Sequence, residues 1–277
     1  MGFRITNFLS RYLLIAIFII GICVYPQNSA DSNSKVYDSR VQLTFGLFIP
    51  SIQSNAQINS NTGRIGTIIN LETAFDLPET QNLFRFSCLY RFNNNHSVKG
   101  YYYALNRSGS NISKDSISFG NIVLNVNSSF DAFLNSTIFG AEYRYSITNA
   151  ESIEAGFSIG LSFLDVAVGA EVSLQNNSVS DDYSELLFLP VLGFYNRINI
   201  LENLIFRSNV DMFALNLKKY DGVLFDFGVS IEYKFLNLIS AGLSYNVFSL
   251  NINYDTKRTG SINYAYKGFM FFTTVYF

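Results

Sequence analysis

The chain has 277 residues, of which 48% are hydrophobic, 16% aromatic and only 14% charged, with a formal net charge of −2. It contains no Trp but 18 Tyr and 27 Phe. Soluble domains carry about 25% charged residues, so this composition excludes a disordered chain, a charged coiled coil and a strongly charged nucleic-acid binder.

The first 30 residues carry the layout of a secretory signal. Arg4 and Arg11 give a positive start, an apolar run follows from Tyr12 to Val24, and Asn28-Ser29-Ala30 places small residues before a cut. We expect a signal peptide over 1–30, cleaved near Ala30 within a few residues, and a mature domain over 31–277. An uncleaved anchor is the alternative, but the run is short against the ~20 residues of a transmembrane helix. A lipoprotein site at Cys23 is set aside because Ile22 stands where a small residue is required. Without Arg4 and Arg11 the mature part has 17 Lys+Arg against 21 Asp+Glu, a net of −4, which gives nucleic acid no reason to bind. Cys88 is then the only cysteine in that part, so no intrachain disulfide forms. No later apolar run approaches 18 residues, which excludes a helical membrane protein.

The remainder alternates with period two. Phe84, Phe86, Cys88, Tyr90 and Phe92 oppose Arg85, Ser87 and Arg91. Ile153, Ala155, Phe157, Ile159, Leu161 and Phe163 oppose Glu154, Gly156, Ser158, Gly160 and Ser162. Phe225, Phe227, Val229, Ile231, Tyr233 and Phe235 oppose Asp226, Gly228, Ser230, Glu232 and Lys234. Successive strand side chains point to opposite faces, so each segment has one greasy and one polar face. Ten such segments occur, near 41–49, 82–92, 97–106, 132–146, 152–168, 184–199, 203–217, 223–235, 239–252 and 262–277. Each is long enough to cross a bilayer as a tilted strand of about 9–11 residues.

Their connections alternate in length. Short ones fall at Asn93–His96, Thr148–Glu151, Leu201–Glu202 and Leu236–Asn237, and longer ones near 50–81, 107–131, 169–183, 218–222 and 253–261. Transmembrane barrels have short periplasmic turns and longer outer loops. The first loop holds an apolar stretch, Ile65 to Leu71, expected to form a hairpin extension above the membrane. Pro50 and Pro78 sit in that loop, whereas Pro190 falls inside a strand near the outer rim, where a bulge or frayed pairing is expected. A soluble β-sandwich also alternates. The density of Phe, Leu, Ile and Tyr on nearly every greasy face, opposite faces of Gly, Ser and scattered charge, and the signal peptide favour the barrel.

The run Tyr101-Tyr102-Tyr103-Ala104-Leu105-Asn106-Arg107-Ser108-Gly109-Ser110, followed by Ile117-Ser118-Phe119-Gly120, resembles an uncharacterised family of bacterial (Gram-negative) outer-membrane β-barrel proteins. The resemblance extends over Gly66–Leu71, Glu142–Ser146, Glu154–Leu164, Leu189–Gly193 and Phe213–Gly222, and over the C-terminal strand. There Phe269, Phe271, Thr273, Val275 and Phe277 share one face, an ending similar to the assembly signal of such barrels. The resemblance implies an outer-membrane barrel and transfers no activity, ligand or catalytic residue.

The expected fold is therefore all-β: an up-and-down antiparallel transmembrane barrel of about ten strands, with eight as the alternative. Its expected surroundings are outer-membrane lipid and lipopolysaccharide, its expected route the barrel assembly machinery, and its outer loops a place for an extracellular ligand. Candidate chemistry is sparse, and no catalytic residue, metal or cofactor is expected. The one histidine, His96, falls in a periplasmic turn, a membrane thickness from the outer leaflet. Asp181 and Asp182 are adjacent, and adjacent strand residues point apart. Lys218, Lys219, Lys257 and Arg258 sit in neighbouring outer loops, either as a solvated rim or as contacts to lipopolysaccharide phosphate.

The lumen is the most informative site. Alternation places Arg85, Arg91, Lys99, Arg144, Arg197, Arg207 and Lys234 inside, facing Glu142, Glu154, Asp211, Asp226 and Glu232. Charges in a narrow space must be paired and hydrogen-bonded, and small barrels are filled by side chains. A salt-bridged plug in a structural or surface-interaction barrel is the first expectation, and a narrow porin or small-solute transporter the second. A barrel-type lipid-modifying enzyme or protease is the third.

Overall fold

The computed structural model describes residues 39–60, 62, 65–149, 152–173, 178–217, 220–255 and 259–277; the side chains of 122, 124, 173, 214–217 and 220 are not described. The expected signal peptide and Lys218, Lys219, Lys257 and Arg258 lie outside the described residues.

In chain order the elements are β1 (Val41–Ile58), β2 (Ile69–Asn70), a short helix α1 (Leu71–Phe75), β3 (Leu83–Arg91), β4 (His96–Ile112), β5 (Ile117–Phe119), β6 (Ile122–Leu124), β7 (Ser129–Asn149), β8 (Ile153–Ser173), β9 (Ser178–Leu201), β10 (Leu204–Leu217), β11 (Tyr220–Leu236), β12 (Ile239–Asp255) and β13 (Thr259–Tyr276). Ten of them form one antiparallel meander in the order β1-β3-β4-β7-β8-β9-β10-β11-β12-β13. β13 pairs back onto β1 from Gln42↔Tyr276 to Ile58↔Gly260, which closes the sheet. Closure leaves no open edge, the condition for a sheet to span hydrocarbon. β5 and β6 form a separate hairpin.

The ten expected segments are the ten barrel strands, but most run further outward than alternation alone indicated. The stretches 169–183, 218–222 and 253–261, expected as long outer loops, are largely strand: β8 continues to Ser173, β9 begins at Ser178, β11 begins at Tyr220 and β13 at Thr259. Only the connections after β1 and β4 are long.

The length of these strands is explained by a change of polarity partway up the wall. On β1 the outward residues are Leu43, Phe45, Leu47 and Ile49, then Ser51, Gln53, Asn55 and Gln57. The inward ones are Gln42, Thr44 and Gly46, then Phe48, Ile52, Ala56 and Ile58. On β12 the outward series Leu243, Tyr245 and Val247 gives way to Ser249, Asn251 and Asn253, while Phe248, Leu250 and Ile252 turn inward. On β13 Phe269 and Phe271 face out below Lys267, and Ile262, Tyr264 and Tyr266 face in above it. On β8 Leu164, Val166 and Val168 are buried just beyond outward Phe163. The inner half is thus greasy outside and polar inside, as lipid demands. The outer half is polar outside and greasy inside, as water demands.

The switch falls at matching register on neighbouring strands in two sectors of the wall, while on β11 the apolar outward residues run on to Val223, beside Asn251. Register sets Ile49 beside Phe269 and Ser51 beside Lys267, and Phe139 beside Phe163 beside Phe188. Phe139 and Phe163 stack at 4.9 Å, Phe163 meets Phe188 at 5.3 Å, and Tyr245 meets Phe269 at 5.1 Å, forming an aromatic girdle. From Ile153 to Phe163 the lipid-facing part of β8 takes ten steps of ~3.3 Å, and a tilt of roughly 40° makes that ~25 Å of height, the usual apolar band.

The first outer connection does not rise as a hairpin. β2 adds only Ile69 and Asn70 to β1, and α1 then turns inward, burying Leu71, Phe75 and Leu77 in the apolar core. Asn70 caps α1 by accepting from the Thr73 amide. Burial wins here because those three side chains would otherwise be exposed at the barrel mouth. Gly109 of β4 permits the approach: a Cβ there would stand 2.4 Å from the Asp76 carbonyl oxygen. Pro190 makes no bulge, since the β8–β9 register runs unbroken through Leu161↔Pro190. Pairing between β9 and β10 extends only to Leu192↔Met212, two residues short of it.

Candidate functional site

The lumen is built in layers, taken here from the periplasmic end. The floor consists of two ion-pair networks. Glu154 accepts from both terminal nitrogens of Arg91 at 3.1 Å, pairs with Arg197 at 3.4 Å, and accepts from Ser146 Oγ at 2.8 Å. Glu232 pairs with Arg207 Nε at 2.9 Å and also accepts from Ser240 and the Tyr276 hydroxyl. Lys234 stands 5.5 Å from the Tyr276 ring, and Ile205 packs on Tyr276. Glu154 and Glu232 alternate into the lumen from neighbouring hairpins, and both are nearly fully buried.

Above the floor lies a polar chamber of about 230 Å³, lined in part by Thr44, Lys99, Glu142, Arg144, Asn209 and Asp226. That volume holds on the order of ten waters. Glu142 pairs with Arg144 at 3.1 Å, and its strand partner is Lys99. Arg144 stands 4.7 Å from the Tyr195 ring, and Asp211 accepts from Asn209 at 3.0 Å and from Ser158 at 3.3 Å.

The roof is an aromatic cage around Arg85. Its guanidinium lies 4.4 Å from the Phe48 ring, 4.2 Å from Tyr103 and 5.2 Å from Tyr266, and donates to the Tyr266 hydroxyl at 2.5 Å. Cation–π contact of this kind strengthens as water is removed. Beyond the roof the lumen is dry. Ile52, Leu105, Ile138, Leu164, Leu189, Leu224, Phe248 and Leu250 fill it from facing strands. A cavity in this half is about 10 Å³, at the lower limit of what one water needs. α1 and the β5–β6 hairpin cover the top, with Phe75 set edge-on against Phe119 and Phe130.

One buried ion pair sits within this apolar layer. Arg107 donates to Glu72 at 2.5 Å, to Ser54 Oγ at 2.8 Å and to the Pro78 carbonyl at 3.2 Å. Glu72 also accepts from the Ser54 amide at 2.9 Å and its hydroxyl at 2.7 Å. These contacts fasten the first outer connection to β1 and β4.

Each basic and acidic residue that alternation assigned to the lumen points inward, and four ion pairs join seven of them: Arg91, Arg197 and Glu154; Arg144 and Glu142; Arg207 and Glu232. Arg85 is held by aromatic faces instead of a carboxylate. Phe269, Phe271, Val275 and Phe277 lie on the lipid side of the wall at β13. The Arg107–Glu72 pair escaped the sequence reading because both residues fall in stretches taken for loops. Arg107 nonetheless continues the inward phase of Lys99, Tyr101, Tyr103 and Leu105, which was the available signal.

His96 opens β4 at the periplasmic rim, outside the lumen. Its Nδ1 shares a hydrogen bond with Tyr143, and its ring packs 5.2 Å from Tyr145. Asp181 and Asp182 belong to β9 and not to a loop; Asp181 accepts from the Asn121 amide at 2.7 Å, and Asp182 is exposed. Among the described residues no group of three or more His, Cys, Asp or Glu is placed to hold a metal.

A closed ten-stranded antiparallel barrel with an apolar outer belt is an outer-membrane β-barrel, and the chain is a protein of the bacterial outer membrane. Its structure is similar to that of the outer-membrane protease OmpT of Escherichia coli, with a TM-score of 0.57, 11% identity, and 90% of this chain and 100% of that chain covered. Lower likenesses are to the translocator domain of the autotransporter NalP of Neisseria meningitidis (TM-score 0.45, 9% identity, 98% and 96% covered) and to OprG of Pseudomonas aeruginosa (0.40, 8%, 86% and 99%). At such identities the likeness concerns the fold alone. No protein-family model and no curated protein sequence matches the chain.

Proposed function

We propose that this protein is a closed structural and surface-interaction barrel, which holds a rigid capped stalk above the outer leaflet and conducts no solute. The observation that carries this reading is the apolar outer lumen: among the described residues, buried apolar side chains from Ile52 to Leu250 fill the layer. A hydrated ion forced into such a layer would lose its solvation with nothing to replace it. The ion-paired floor supports the same reading, because moving Arg207 aside takes the counter-charge from Glu232 in a buried site, and Glu154 is held by both Arg91 and Arg197. No catalytic role is assigned to any residue. His96 is at the far end of the molecule from the capped mouth, and Asp181 and Asp182 face opposite ways.

The second reading, a narrow solute passage, is favoured by one feature, the polar chamber of about 230 Å³. Single-channel recording in planar bilayers separates the two. The closed barrel gives no steady conductance. Reproducible, salt-dependent steps from the wild-type protein would overturn the reading in favour of the passage.

A further inference from the structure

Above the aromatic girdle the outer wall of the barrel has two different sides. On β7, β8 and β9 the outward surface carries Asp131, Asp165, Glu171 and Asp182 and, among the described residues, no base. On β12, β13 and β1 it carries a sheet of amides. Register sets Asn55, Asn263 and Asn251 in one row across the three strands. The row above is Gln57, Ser261 and Asn253, and the row below is Gln53, Ala265 and Ser249. Gln57 is occupied, since its amide donates to the Gly66 carbonyl at 2.9 Å. The amides of Gln53, Asn55, Asn251, Asn253 and Asn263 make no hydrogen bond to other described residues. At the foot of the sheet stands Lys267, exposed, between Ser51 and Val247 in register. One step lower on its own strand is Phe269, in the girdle.

We propose that this three-stranded face seats the phosphorylated saccharide headgroup of an outer-leaflet glycolipid, with Lys267 on the phosphate and the amide rows on the sugar hydroxyls. The height is the first argument. Lys267 is the first polar outward side chain of β13 beyond the lipid belt, the level at which a lipid phosphate lies. The chemistry is the second. An ammonium is a point charge for phosphate, and each amide both donates and accepts, as does each hydroxyl of a sugar. The charge distribution is the third. A polyanionic headgroup meets four acids on the acidic side; on the three amide strands the one acid among the described residues above the girdle is Asp255, at the tip, with Asp221 flanking Asn253 from β11 and Glu79 flanking Ser51. The proposal requires the outer-membrane setting and is independent of whether the lumen conducts.

The test uses the full-length barrel in detergent, freed of bound lipid and checked for folding by heat-modifiable gel mobility. Binding is measured by native mass spectrometry against rough lipopolysaccharide, phosphatidylglycerol and inorganic phosphate. The wild type should prefer lipopolysaccharide to phosphatidylglycerol. Lys267→Glu should weaken lipopolysaccharide binding by roughly tenfold or more. The triple variant Asn55→Ala, Asn263→Ala, Asn251→Ala should remove the preference while leaving phosphatidylglycerol binding unchanged. Asp165→Asn, on the acidic side, should not weaken binding. The proposal is overturned if the folded Lys267→Glu and triple variants bind as wild type does. It is equally overturned if phosphatidylglycerol or free phosphate competes as well as lipopolysaccharide, which would describe a bare anion site.

Discussion

Removing either partner of the pair that anchors the first outer connection should cost more than removing both. Arg107 has a fully buried side chain and Glu72 is 4% exposed, so neither charge can turn to water where it stands. In Arg107→Met, Glu72 keeps its two Ser54 hydrogen bonds but loses its counter-charge. In Glu72→Leu, Arg107 keeps only Ser54 Oγ and the Pro78 carbonyl, two neutral acceptors for a full positive charge. Each single variant leaves an uncompensated buried ion, and we expect about 3–5 kcal/mol of destabilisation, with Glu72→Leu at the upper end. The double variant replaces the pair with apolar volume in an apolar layer and should lie within ~1 kcal/mol of wild type. Urea unfolding in detergent, followed by heat-modifiable mobility, gives the four corners of the cycle. If the single variants cost under ~1 kcal/mol, or if the double costs the sum of the singles, the pair does not anchor the cap as described.

Three further expectations follow from the same geometry. Leu161→Arg and Val229→Arg place a charge on the lipid side, at ~2–4 kcal/mol near the midplane, and should impair assembly into liposomes; normal folding of both would contradict the face assignment. Glu142→Ala leaves Arg144 and Lys99 without their carboxylate in the chamber, so its unfolding midpoint should fall below that of Asp181→Ala, and equal midpoints would count against the ion-paired lumen. Phe248→Ala empties part of the dry outer lumen and should destabilise by about 3–5 kcal/mol, whereas Ser249→Ala, one residue on and facing water, should change unfolding by no more than ~0.5 kcal/mol.

Strand number, closure and the inward charges were readable because alternation is local and ten segments repeat it. The outer half was not read, although its signal is in the chain. On β1 the greasy outward residues are odd-numbered to Ile49 and the greasy inward ones even-numbered from Phe48, and on β12 they pass from Val247 to Phe248. Such a jump in phase resembles the end of a strand when one face is assumed greasy throughout. It is in fact the same strand leaving hydrocarbon for water. The first outer connection was misjudged for a related reason. Ile65 to Leu71 is apolar, and apolarity alone does not say whether a loop rises or folds back; the space available inside the mouth decides that, and only the assembled wall defines it. The cage around Arg85 was equally hidden, since Phe48, Tyr103 and Tyr266 come from three strands far apart in sequence.

The girdle also acts as a waterline. If the molecule sank by one pair of residues, Lys267, Ser51 and Thr137 would enter oil; if it rose by as much, Ile49, Phe139 and Phe269 would emerge into water. Both displacements are opposed on these strands, so the depth of immersion is fixed from two directions. Because the part above that line has its own dry interior, it does not borrow its shape from the bilayer. A thinner or more fluid membrane would therefore deform around this barrel more readily than the barrel would deform to suit it.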